Sequence, residues 1–162
     1  MKAPETLERL QAAYALACTP FVRYVAETSG AERRDEVDAK AAALYQEWCS
    51  LGREHQRALS SLLDGEGIFV SGTGIWPLEF AQFNYLSAAY LLRRVIERMG
   101  RTLDEMERLA LGLDDWPEAR DLLRKAVERE RGLLERAKNL DVARPEKPPR
   151  QPQPKGTSAA RW

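Results

Sequence analysis

The chain is predicted to be all-α: a four-helix antiparallel bundle over residues 1–140, an extra short helix, and a proline-rich basic tail over 141–162. Apolar residues recur at three- and four-residue spacing almost throughout, and strand-like alternation is confined to one short loop. Two segments carry heptads, one through Val37, Ala41, Leu44, Trp48, Leu51, His55, Ala58 and Leu62, the other through Ala119, Leu123, Ala126, Glu130, Leu133, Ala137 and Leu140. A length of 162 residues accommodates one hydrophobic core rather than two.

The first helix is expected over about residues 4–29, with Leu7, Leu10, Tyr14, Ala17, Phe21 and Val25 on one stripe and Gly30 as its stop. Pro20 falls inside it and deprives the Leu16 carbonyl of an amide partner, which predicts a bend near Cys18 and Thr19. The first heptad places a second helix over about 32–63. A glycine-rich connector follows over 64–75, since Gly65, Gly67, Gly72 and Gly74 break any helix. A third helix is expected over 76–99, ended by Gly100. Thr102 and Glu105 have the spacing of a capping box and start a short helix to about residue 113. Asp115, with Pro117 and Glu118 just inside, opens the last helix, which runs to about residue 140. The chain directions default to up-down-up-down. A connector of this length, at about 3.3 Å per residue, also reaches across a bundle from end to end, so a crossover is the open alternative.

Five of the nine prolines fall after Asn139, in a segment with little to bury, and this predicts an extended tail, disordered unless bound. Its PxxP spacing makes it a candidate docking peptide, with Trp162 as the candidate anchor. Acidic and basic residues balance at 25 each. The tail holds the positive excess, so the body is at minus three and nucleic acid is not indicated as a partner. No apolar run has the length of a transmembrane segment, and the N-terminus leads into a charged amphipathic stretch, so a cytoplasmic protein is expected. Cys18 and Cys49 have no metal-ligand spacing and read as reduced packing residues.

Few residues suggest chemistry. The single histidine, His55, lies on a core seam, but Gly52 stands where the Glu-x-x-His pattern of diiron bundles needs a glutamate. No metal, cofactor or catalytic residue is assigned. In the parallel arrangement of the second and fourth helices, His55 and Glu130 fall at similar depth and form a candidate buried polar pair. The Ser71–Gly74 stretch precedes a helix but lacks the lysine of a phosphate-binding loop, and it reads as a connector.

The third helix carries the functional expectation. One stripe, through Leu78, Ala81, Tyr85, Ala88, Leu92, Val95 and Met99, fills a core. Trp76, Phe80, Phe83 and Tyr90 lie nearly opposite and form a candidate interface. Either the chain covers these aromatics itself or they meet another molecule. The expectation is a non-enzymatic interaction or structural subunit that self-associates or binds a protein partner through the third helix. The rival is a degenerate ferritin-like or small-molecule-binding bundle using the core around His55. A third reading is an amphipathic protein that coats an apolar surface.

Overall fold

The computed structural model describes residues 2–28, 35–72, 74–84 and 86–143. Five α-helices carry these residues: α1 Pro4–Cys18, α2 Phe21–Thr28, α3 Glu36–Gly65, α4 Leu92–Leu111 and α5 Pro117–Val142. A short 3-10 helix, Leu78–Phe83, lies between α3 and α4. The described residues contain no strand.

Pro20 separates two helices rather than bending one. Without a proline N–H the first ladder ends, and Pro20 O then accepts from the amides of Arg23 and Tyr24 to start α2. The Cys18 carbonyl takes a guanidinium N–H from Arg23 at 3.0 Å instead. Asp35 caps α3 by accepting the amide of Asp38 at 2.8 Å. The predicted start of this helix at residue 32 lies outside the described residues. Asp115 does not cap α5: Trp116 holds that position, and the Asp115 carboxylate accepts the Thr6 hydroxyl at 2.7 Å, tying α1 to the turn before α5.

The expected third helix over 76–99 and short helix over 102–113 are not formed. One helix, α4, runs through Gly100, and Thr102 hydrogen-bonds back to the Arg98 carbonyl instead of capping a new helix. Upstream, the described residues between 66 and 91 form a long strap. Pro77 opens its 3-10 helix, and Asn84 is extended at ψ 142, ending that turn. The apolar residues there divide between an inner side packed on α2 and an outer side left exposed, not between two faces of one helix.

Polar side chains peg this strap along the bundle. Tyr14 donates to the Ser71 carbonyl at 3.1 Å, and Gln56 to the Gly72 carbonyl at 3.3 Å. Further along, Tyr24 donates to Asn84, Tyr45 to the Ala88 carbonyl at 2.7 Å, and the Ala89 amide to Asp38 at 2.9 Å. The partners on α3 fall from Gln56 through Tyr45 to Asp38 as the strap numbers rise. The strap therefore travels back along α3.

The same pattern fixes the directions of the helices. Contacts between α3 and α5 pair Glu54 with Arg129 and Glu47 with Arg136, an antiparallel order. Pairs such as Arg93 with Asp141 and Arg131 with Asp104 make α4 and α5 antiparallel as well. Helices α3 and α4 thus point the same way. These pairs fit the crossover alternative rather than the up-down-up-down default, with the strap running along the molecule before α4 begins. The core between the helices holds Trp48, Tyr45, Leu59, Leu63, Leu92, Met99, Leu103 and Leu123.

Candidate functional site

Helices α3 and α5 bring His55 and Glu130 together. His55 Nδ1 lies 2.8 Å from Glu130 Oε1, and Trp48 Nε1 donates to Glu130 Oε2 at 2.9 Å. His55 and Glu130 are 7% and 6% exposed, so each carboxylate oxygen has a partner in a dry setting. With the proton on Nδ1, the histidine donates to the carboxylate, and its buried Nε2 has no partner among the described residues. The parallel arrangement that motivated this pair is not the one formed. Glu130 sits near the middle of α5, so reversing the direction of that helix barely changes its depth. Among the described residues, no group of three or more His, Cys, Asp or Glu side chains could hold a metal ion.

The aromatic residues of the expected third helix turn inward onto α2. Phe80 meets Phe21 edge to face at 5.0 Å and Tyr24 at 5.3 Å; Phe83 meets Phe21 at 5.3 Å; Trp76 meets Tyr24 at 5.3 Å. The Arg98 guanidinium lies over Phe21 and Phe80, each at 5.2 Å, and pairs with Glu79 at 2.8 Å. The chain therefore covers Phe80 itself and half-buries Trp76 and Phe83. Of the candidate interface residues only Tyr90 is exposed, at 60%. The apolar groups that do face outward on the strap are others: Phe69, Ile75 and Leu78 are 87%, 96% and 92% exposed. Periodicity assigns Leu78 to the core stripe of a helix that does not form, and Phe69 and Ile75 fall in the stretch read as a connector, where periodicity says nothing of facing. Trp162 lies outside the described residues.

A third place was not anticipated. Beside α1, α2 and the strap, α3 borders a cleft of about 650 Å³ whose walls include Arg23, Arg53, Arg57, Gln56, Ser60 and Phe69. Arg23 is buried, held by the Cys18 carbonyl and by Gln56 Oε1 at 3.1 Å. The sequence signal for it was Arg53 and Arg57 one turn apart on α3, where the nearest carboxylate, Glu54, is taken up by Arg129.

Two thiols pack nearby. Cys49 contacts the Val22 carbonyl through Sγ at 3.9 Å, and burial pushes its thiol up to about 11, against the weaker opposing pull of Arg53 and Arg23. Burial likewise raises the Tyr14 phenol above its ordinary value. On the surface, Arg129 holds the Glu54 carboxyl below the usual range and Arg136 does the same for Glu47. No described helix is long and apolar enough to cross a membrane. Comparisons with protein-family models, with curated proteins and with solved structures return no match.

Proposed function

We propose that the protein is a non-enzymatic interaction subunit that self-associates through the outer side of the strap. The observation that supports this is where its exposed large apolar residues fall. Phe69, Ile75, Leu78 and Tyr90 all belong to the strap, while Leu111 and Val142 sit at the ends of their helices. Exposed apolar groups gathered in one segment are more often interface than accident. The reading keeps the expected class and moves the surface, from a helix face made of Trp76, Phe80 and Phe83 to a strap that shows its other side chains.

The strap suits such a role physically. Its inner side is fixed by the pegs from Tyr14, Gln56, Tyr45 and Asp38, so little ordering entropy remains to be lost when the outer side docks. Multi-angle light scattering on the full chain tests the proposal. The expected result is a mass above the 18.4 kDa of one chain, falling to that of a monomer in Ile75→Asp/Leu78→Asp with the melting temperature unchanged. A wild-type monomer at all concentrations, or an oligomer indifferent to both substitutions, contradicts it.

A further inference from the structure

We infer that the arginine-lined cleft beside α3 binds a small-molecule phosphate ester, with guanidinium groups on the phosphate and Phe69 and Val70 against the apolar part. The inference shares Phe69 with the proposed self-association surface but not Ile75 or Leu78, and it starts from how the arginines are distributed. Most described arginines sit against a carboxylate, as in Arg9 with Glu5, Arg98 with Glu79, Arg120 with Asp114, Arg129 with Glu54, Arg131 with Glu107 and Arg136 with Glu47. Among the described residues, the arginines without an ion pair are Arg23, Arg53, Arg57 and Arg124, and the first three line this one cleft.

Like charges one turn apart on a helix repel, and Glu54, three residues before Arg57, offsets this only in part because its carboxylate is paired with Arg129 at 2.9 Å. Arg23 adds a third guanidinium from a different helix. It is 8% exposed, two of its nitrogens are anchored to Cys18 O and Gln56, and its buried Nε has no partner among the described residues. A buried guanidinium fixed in place before binding is the arrangement that favours fork-like recognition of an oxyanion.

The charge count selects the ligand. Asp64 also lines the cleft, so the three arginines leave an excess of two positive charges, which a phosphate dianion balances and a single carboxylate does not. Ser60 and Ser61 supply hydroxyls on the same wall. Phe69, 87% exposed, and Val70 supply an apolar wall, and the volume suits a ligand larger than inorganic phosphate.

Isothermal titration of the full chain with sodium pyrophosphate, AMP and adenosine, at constant ionic strength, tests this. The expected result is binding of pyrophosphate and AMP, with adenosine at least about tenfold weaker than AMP. Arg53→Gln/Arg57→Gln should weaken both phosphates by about tenfold or more while the melting temperature stays put, because both side chains are exposed. Arg124→Gln should change neither. Phe69→Ala should weaken AMP and spare pyrophosphate. No binding of either phosphate, unchanged affinity in Arg53→Gln/Arg57→Gln, or equal loss in Arg124→Gln overturns the site; Phe69→Ala without effect on AMP overturns the apolar half of it.

Discussion

Glu130 holds two buried donors at once, His55 Nδ1 and Trp48 Nε1, from two positions seven residues apart on α3. Removing the carboxylate strands both in a dry core, at about 1–3 kcal/mol for each orphaned group. Glu130→Ala is therefore expected to lower unfolding free energy by about 3 kcal/mol or more. Glu130→Gln should cost clearly less, because its oxygen still accepts from Trp48 and its amide donates to the other histidine tautomer. Urea denaturation checks both, and an alanine variant within about 1 kcal/mol of wild type would mean the trio carries little of the stability. Cys49 gives a second test at this scale. Its thiol ionises near 9.0 when unfolded and near 11 when folded, so the contribution is intact below pH 9. As pH rises the unfolded state loses its proton first, and stability falls by an amount approaching roughly 2–3 kcal/mol by about pH 11. Cys49→Ala should flatten that alkaline decline in urea midpoints, and an unchanged slope would reject the assignment.

At the scale of elements, the helices separate into those that local signals define and those that tertiary contacts define. Helices α3 and α5 were legible because long heptads and the Pro117 start leave no competing structure. Helix α4 and the strap were not. Gly100 and the Thr102–Glu105 spacing imitate a helix boundary, yet Gly100 packs within 4.0 Å of Leu134 for the position its Cβ would take, and the continuous α4–α5 seam overrides the local cost of about 1 kcal/mol. Residues 76–91 have the apolar density of a helix, but their real partners, Phe21 and Tyr24, are distant in sequence and invisible to a periodicity argument. The pegs were half legible, since Tyr14 and Tyr45 are polar-tipped residues on inner seams that need acceptors. Glycines test this account in opposite directions. Gly52, mid-α3 with open space around it, should gain about 0.5–1 kcal/mol as Gly52→Ala. Gly74 packs so closely on the Thr19 side chain that Gly74→Val should cost about 1–3 kcal/mol and loosen the strap, seen as faster amide exchange over 70–80. Equal effects from the two would contradict the packing described.

For the whole molecule, the crossing strap links the fold to both proposals. Because α3 and α4 run the same way, residues 66–91 must traverse the bundle, and in doing so they wall the arginine cleft with Phe69 and Val70 and display Ile75 and Leu78. An up-down-up-down bundle would need only a short turn there and would have neither surface. The His55–Glu130 contact does not discriminate between the two orders, since Glu130 lies mid-helix in both. Electron–electron distances between spin labels do. Lys40 and Arg94 stand near the starts of α3 and α4, and Arg108 near the end of α4; all three are exposed. With Cys18 and Cys49 replaced, the account predicts a short distance for labels at 40 and 94. It predicts one longer by up to about 20 Å, the rise of fourteen helical residues, for labels at 40 and 108. The opposite ranking, with 108 nearer to 40 than 94 is, would contradict it.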